Sequence, residues 1–96
     1  MHLIEIFLPA QDAFATKRRA LAQELADRFG GLTAFTRAPA KGLFENGGDH
    51  VEDDIVIFEI MSGALERNWW TALRARLERD FQQDEIVIRT TTIERL

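Results

Sequence analysis

Cysteine is absent from this chain of 96 residues. Without a thiol there is no disulfide scaffold, no thiolate nucleophile and no cysteine-bound metal. Long apolar runs are also missing, since none approaches the roughly 18 residues that a membrane-spanning helix needs. Excess positive charge is missing too: 12 basic residues stand against 16 acidic ones, which gives a net charge of −4. This balance disfavours binding to nucleic acid through its phosphates.

What is present is an ordinary globular composition, 46% hydrophobic and 29% charged. Such a composition at this length is typical of one domain with a modest core, so we predict a single domain over 1–96. The first nine residues are apolar but contain Glu5, lack a basic leader and are too short for a signal peptide. We therefore expect a cytoplasmic protein with no membrane partner.

Six segments show the periodicity of regular secondary structure. The predicted strands are 2–8, 32–37, 54–61 and 85–93, and the predicted helices are about 13–29 and 64–81. Gly30 is placed to end the first helix in a left-handed conformation, whereas either Asp12 or Thr16 would cap its start. The stretch 38–54 contains Pro39 and three glycines and is predicted to be a long hairpin connection, with room for a short extended piece at residues 43–44.

The element order is β-α-β-β-α-β, which predicts an α+β fold of the ferredoxin-like type. Right-handed crossovers then give a four-stranded antiparallel sheet in the order 4-1-3-2, with both helices on one face. The face under the helices is predicted to be the core, formed by Ile4, Ile6, Leu8, Leu32, Ala34, Val56, Phe58, Ile60, Ile86 and Ile88. On the second helix, spacing puts Trp70 in the core and Trp69 at its margin.

The other face of the sheet carries one charge in every strand. In the predicted strand order these charges read Arg89, Glu5, Glu59 and Arg37, so each carboxylate has an arginine on an outer neighbour. The remaining side chains on that face are apolar: Leu3, Phe7, Phe35, Ile55, Ile57, Val87 and Ile93. Strand register decides whether the charges pair, and it cannot be read from the alternation.

Two interpretations of this second face compete. An antiparallel sheet often leaves one face in water, and exposed faces carry charges. However, Phe7 and Phe35 alone would each bury about 150–250 Å², and the whole apolar set exceeds the patch that monomers usually expose. We therefore predict a homodimer through this face. Its candidate interface or ligand-binding residues are Glu5, Arg37, Glu59, Arg89, Phe7 and Phe35. For the four charged residues, ion pairs with a structural role are favoured over a catalytic role.

Other patterns predict no catalytic or cofactor site. The acidic cluster Asp49, His50, Glu52, Asp53 and Asp54 lacks the spacing of a metal site, and we interpret it as a solvated turn. The glycines at positions 42, 47 and 48 match no phosphate-binding motif, which makes them turn residues. We expect no metal and no cofactor, and no residues in the sequence are assigned a catalytic role.

The segments RFGGLTAF and RDFQQDEIVIR, with Gly42-Leu43-Phe44 between them, resemble a family of small bacterial proteins of unknown function. The matching positions are Phe29, Gly31, Leu32, Thr33, Gly42, Phe44, Phe81 and Gln83, over about the last seventy residues. Phe44 departs from the family, which has tryptophan there. The resemblance implies a ferredoxin-like fold and no activity. At the level of fold the arrangement is similar to dimeric α+β barrel proteins, which hold small aromatic or quinone-like ligands between two sheets.

Three functions remain open. The leading hypothesis is a small homodimer with a binding or structural role, whose second face forms the interface or a small-molecule cavity. The alternative is a cofactor-independent dimeric barrel enzyme, in which Glu5 or Glu59 is a base and Arg37 or Arg89 holds an anionic substrate group. RNA binding through an open sheet is the third, and it is disfavoured because the charge is acidic and Phe7 is the only aromatic residue on the central strands of that face.

Overall fold

A computed structural model of the chain describes the backbone of residues 1–46 and 49–96, and the side chains of 1–37, 41–43 and 54–96. The strands are β1 (His2–Pro9), β2 (Thr33–Asn46), β3 (Asp49–Ser62) and β4 (Ile88–Thr92). The helices are α1 (Ala15–Phe29), which follows a 3₁₀ turn at Asp12–Phe14, and α2 (Arg67–Asp80). Among the described helices, none is both long enough and apolar enough to cross a membrane.

The four strands form one sheet in the order β2-β3-β1-β4, and every neighbouring pair is antiparallel. Read from the other edge, this is the predicted order 4-1-3-2. The ferredoxin-like α+β fold is therefore confirmed. The two central strands, β1 and β3, carry the most apolar segments of the chain, which is where a sheet covered by helices buries most surface.

The start and the end of α1 differ in how far local sequence determines them. Gly30 follows the last residue with φ of 83°, and its N–H donates to the Ala26 carbonyl at 2.8 Å. This is the left-handed end that glycine favours. At the start, neither Asp12 nor Thr16 is the cap. Phe14 occupies that position without a side-chain hydrogen bond, because the preceding 3₁₀ turn leads the chain into the helix.

The core lies between the sheet and the two helices. Its buried residues are Ile4, Ile6, Leu8, Leu21, Leu25, Val56, Phe58, Ile60, Trp70, Leu73, Leu77, Phe81 and Ile86. Leu32 and Ile88 are partly buried against this cluster. Ala34, which was predicted to be a core residue, is exposed. The reason is its position on β2, an edge strand that contributes no described side chain to the buried cluster.

The predicted hairpin over 38–54 is present and includes the extended piece at residues 43–44, but most of it is strand instead of loop, because β2 and β3 are each 14 residues long and run through it. Their pairing has an irregularity between Phe35 and Ala40 and then continues to Asn46, which pairs with Asp49. Gly42 lies inside β2 opposite Asp53 instead of in a turn. Gly47 and Gly48 lie outside the described residues.

The last strand is shorter than predicted and begins at Ile88 instead of residue 85. Ahead of it, the Ile86 N–H donates to the Glu78 carboxylate at 3.0 Å, while the Ile86 side chain is buried in the core. The segment before β4 is thus anchored to α2 by a side chain. Pairing with β1 resumes through a bond from the Phe7 N–H to the Val87 carbonyl at 3.0 Å.

Candidate functional site

The second face of the sheet is organised in rows that run across the strands. Glu5 on β1 lies opposite Glu59 on β3 and opposite Arg89 on β4. On the far side of Glu59, the β2 residue in register is Thr33. We call Arg89, Glu5, Glu59 and Thr33 the polar row. Since alternate residues of a strand point to opposite faces, these side chains lie away from the helices.

Arg89 and Glu5 form the ion pair of the polar row. The Arg89 Nε donates to Glu5 Oε1 at 2.8 Å. The two partners differ in burial: the Glu5 side chain is only 15% exposed, whereas that of Arg89 is 57% exposed. The guanidinium also lies over the Phe7 ring, with Cζ at 4.7 Å from the ring centre. A cation in this position stabilises the Glu5 carboxylate and shields one face of Phe7.

Glu5 and Glu59 form a pair of carboxyl groups on the two central strands. Burial raises the pKa of Glu59, and the negative charge of Glu5 and a hydrogen bond with the Glu5 carboxyl raise it further. Like charges directly opposite each other on neighbouring strands repel, so holding one proton between them relieves the repulsion. The carboxyl group of Glu59 is therefore neutralised more easily than that of a free glutamate.

Arg37 is not part of the polar row, and the expected pairing of Glu59 with Arg37 does not form. Thr33 takes the place opposite Glu59, and the next pair in register is Phe35 with Ile57. Beyond Phe35 the ladder is irregular, and Arg37 lies within that irregularity with an exposed side chain. A strand irregularity changes which face a residue takes, so alternation counted through it fails.

An apolar row lies next to the polar row. Phe7 is opposite Ile57, Phe35 is opposite Ile57 from the other side, and the β1 backbone bonds to Val87. We call Val87, Phe7, Ile57 and Phe35 the apolar row. Phe35 is 44% exposed and Val87 is 37% exposed, whereas Phe7 and Ile57 are half-buried. The two predicted aromatic residues, Phe7 and Phe35, thus flank one isoleucine on the same face.

The apolar character continues beyond this row on both sides. Ile55, paired with Pro9, is buried at 8% exposure. At the other end Leu3 is half-buried opposite Met61, which is 47% exposed. The second face therefore combines an apolar surface with the Glu5–Arg89 ion pair and with Glu59, a carboxyl group whose pKa is raised. Such a surface is able to pack against another apolar surface and to exchange a proton at Glu59.

The acidic cluster of the hairpin lies largely outside the side chains that are described. Asp54 belongs to the described part, and its carboxylate pairs with the Lys41 ammonium at 3.4 Å. Within the described part of the chain, no three His, Asp or Glu side chains come together as a group that would hold a metal ion. Asp54 is half-exposed at 53% and contributes to the hairpin surface.

Sequence reasoning missed Thr33 as a member of the polar row. The signal that finds it is the register: once Glu5 is opposite Glu59, counting back along β2 from the Phe35–Ile57 pair puts Thr33 beside Glu59. Its hydroxyl is both a donor and an acceptor, and it replaces the fixed positive charge expected from Arg37. The polar row thus carries one cation for two carboxyl groups, rather than two.

The fold is similar to that of a known protein. No protein-family model matches the sequence, and no curated protein sequence matches it. Among solved structures, the chain is similar to the divalent cation tolerance protein (CutA1) from Thermus thermophilus, with a TM-score of 0.66 at 15% sequence identity. The match covers 99% of this chain and 86% of that one. The likeness supports the fold over the whole length of the chain.

Proposed function

We propose that this chain is a binding or structural protein that assembles with copies of itself through the second face of its sheet. The observation that carries the proposal is the apolar row, in which Phe35 and Val87 are exposed beside half-buried Phe7 and Ile57. A contiguous apolar surface of this kind gains free energy when it leaves water. A dimer is the smallest assembly that covers it.

The helices favour a second copy as the cover. Both pack on the opposite face, against Ile4, Ile6 and Phe58, so neither helix covers the second face. A copy of the same chain presents a matching apolar row, which makes a self-complementary contact around a two-fold axis available.

The polar row gives such an interface its specificity. An ion pair that is dehydrated on assembly contributes little net stability, because desolvation offsets the attraction. The polar row does penalise some alignments of the two sheets. An alignment that separates Glu5 from Arg89, or that leaves Glu59 charged in an apolar contact, costs free energy. The row is therefore expected to fix the alignment of the two sheets more than the strength of their association.

Sedimentation velocity at micromolar concentration tests this proposal. The unsubstituted chain should sediment at no less than twice the 11.0 kDa of one copy. Phe35→Asp, which places a charge in the apolar row, should shift it to a monomer. The matched control is Ala34→Asp, an exposed neighbour on the same strand that faces the other side of the sheet. A single 11.0 kDa species of the unsubstituted chain would overturn the proposal.

A second candidate function is that of a cofactor-independent enzyme, and the raised pKa of Glu59 favours it. A carboxyl group whose pKa is raised by burial and by a neighbouring carboxylate is suited to general acid-base catalysis. In this alternative Glu59 takes a proton from a small organic substrate, and Arg89 holds an anionic group of that substrate. The Glu59→Gln and Arg89→Gln variants should then lose the thermal shift produced by small aromatic carboxylates. A shift that persists in both variants contradicts the enzyme alternative.

A further inference from the structure

A cleft of about 310 Å³ lies in the helix layer, where the end of α1 faces the turn between β3 and α2. It is lined by Arg28, Phe29, Ser62, Ala64, Glu66 and Trp70. The cleft is on the helix side of the sheet and shares no residue with the polar or apolar rows. Its volume falls at the lower end of the range of about 300–1,000 Å³ that is usual for small-molecule sites.

Arg28 is held in place at the rim of this cleft. Its guanidinium lies on the ring of Trp69, with Cζ at 4.1 Å from the ring centre, and at 5.7 Å from the centre of the Phe29 ring. Its Nη2 donates to Glu66 Oε2 at 2.8 Å. Contact with an aromatic face orients the guanidinium without using its N–H donors.

Most of the donors of Arg28 are therefore available to a ligand. A guanidinium has five N–H groups in a planar fork. In the part of the chain that the structure describes, Glu66 is its only hydrogen-bond partner. The two side chains are 42% and 64% exposed, and an ion pair this exposed is weak enough to open for a ligand. The rim thus offers one cation and one carboxylate, side by side.

Two aromatic residues, Phe29 and Trp70, form one side of the cleft. The rings of Phe29 and Trp70 stack with centres 5.2 Å apart and planes inclined by 19°. Trp69 meets both rings edge-on, at 5.5 Å from Phe29 and 4.8 Å from Trp70. Trp70 is itself 6% exposed and anchored in the core. One face of the Phe29 ring is covered by Trp70, and the part of half-buried Phe29 that remains accessible is fixed in position for an apolar group to pack against.

We propose that this cleft binds a free α-amino acid with an aromatic or other bulky apolar side chain. The carboxylate of the ligand binds Arg28, its ammonium group binds Glu66, and its side chain packs against Phe29. A zwitterion replaces each half of the Arg28–Glu66 pair with an opposite charge, so neither residue is left unpaired. A ligand with only a negative charge would leave the charge of Glu66 without a partner. A ligand with only a positive charge would leave the charge of Arg28 without one.

Tryptophan fluorescence reports binding, because of the two tryptophans in the chain Trp70 lines the cleft and Trp69 contacts both Trp70 and Arg28. L-phenylalanine is the probe, and calorimetry gives an independent measure. We expect a saturable change with L-phenylalanine and binding at least about tenfold weaker for 3-phenylpropionate and for phenethylamine, each of which lacks one charged group. Failure to saturate, or equal binding of either analogue, would overturn the proposal.

Matched variants locate the site. Arg28→Gln should weaken L-phenylalanine binding at least about tenfold. The control is Arg76→Gln, since Arg76 is also 42% exposed and also pairs with a glutamate, Glu24, at 2.7 Å. Glu66→Gln should weaken L-phenylalanine binding but strengthen the binding of 3-phenylpropionate, because no carboxylate is then left without its cation. Equal affinity in the Arg28 and Arg76 variants would overturn the assignment, and so would a Glu66→Gln variant that binds like the unsubstituted chain.

Amino-acid binding in the cleft does not depend on self-association, and the two proposals fail separately. The cleft and the second face lie on opposite sides of the sheet, so Phe35→Asp should abolish assembly and leave L-phenylalanine binding intact. Arg28→Gln should weaken L-phenylalanine binding and leave assembly intact. If both variants lose both properties, the two surfaces are not distinct sites and the proposed amino-acid cleft is wrong.

Discussion

Glu5 and Glu59 face each other directly across the two central strands, with Arg89 bound to Glu5 only. The cation therefore stabilises the Glu5 carboxylate and leaves Glu59 with no cation beside it in the polar row. Burial, the charge of Glu5 and a hydrogen bond with its carboxyl all raise the pKa of Glu59. This asymmetry makes Glu59 the carboxyl group of the polar row that is protonated more easily than a free glutamate.

The first prediction concerns pH. Because the folded chain holds the Glu59 proton above the ordinary pKa of 4.5, it binds more protons than the unfolded chain just above that pH. The free energy of unfolding that Glu59 contributes is thus present at acid pH and is lost as the pH rises through the raised pKa. Glu59→Gln, which stays neutral, should lose less stability between about pH 4 and about pH 7. Urea unfolding at both pH values measures this; equal losses would contradict it.

The second prediction compares two arginines that sequence alternation treats as equivalent. Arg89→Gln removes the partner of half-buried Glu5 and should lower the free energy of unfolding by about 0.5–1 kcal/mol, as for a partly exposed ion pair. Arg37→Gln should change it by less than about 0.5 kcal/mol, since Arg37 is exposed and outside the polar row. Equal losses in denaturant unfolding would mean that Arg37 contacts a carboxylate after all.

A double-mutant cycle separates the ion pair from other contacts of Arg89. Glu5→Gln and Arg89→Gln combined should cost less than the sum of the single changes, because each single change leaves an unpaired charge. Additive losses would show that the Arg89 contact with Phe7, rather than the ion pair, carries its effect on stability.

Alternation along short strands predicted most of the fold and part of the candidate site. Glu5, Glu59 and Arg89 lie on strands that pair without interruption, so a count by twos places them on one face and in one row. The ferredoxin-like order follows in the same way from the sequence of strand and helix patterns. The end of α1 was predictable because a glycine directly after a helix favours the left-handed conformation that ends it, and this depends on local sequence alone.

The failures on β2 share a physical cause, which is that β2 is an edge strand. Backbone hydrogen bonds to β3 keep β2 in the sheet on both sides of the irregularity between Phe35 and Ala40. The strand therefore forms without an alternating apolar pattern in its sequence. Its Pro39 and Gly42 resemble turn residues, yet an edge strand tolerates both. Ala34 is exposed and Arg37 leaves the polar row for the same reason. The cleft at Arg28 was missed because it joins residues 28 and 66, which no periodicity relates.

The third prediction concerns the two adjacent tryptophans. Trp70 is 6% exposed within the core, as helical phase predicts, whereas Trp69 is half-buried at its edge. Trp70→Ala should lower the free energy of unfolding by about 3–5 kcal/mol because it leaves a large cavity. Trp69→Ala should cost clearly less, although it removes the surface on which Arg28 lies. Denaturant midpoints in the reverse order would contradict the helix phase.

The last prediction uses two adjacent glycines as each other's control. Gly30 has φ of 83°, while a side chain added at either Gly30 or Gly31 would meet no atom within 4 Å. Space is therefore equal at both positions, and only backbone conformation differs. Gly30→Ala should lower the free energy of unfolding by about 1–2 kcal/mol through left-handed strain. Gly31→Ala carries no such strain and should be neutral or slightly stabilising by about 0.4–1 kcal/mol, because it restricts the unfolded chain. Equal effects in thermal unfolding would show that the chain does not need the left-handed turn to leave α1.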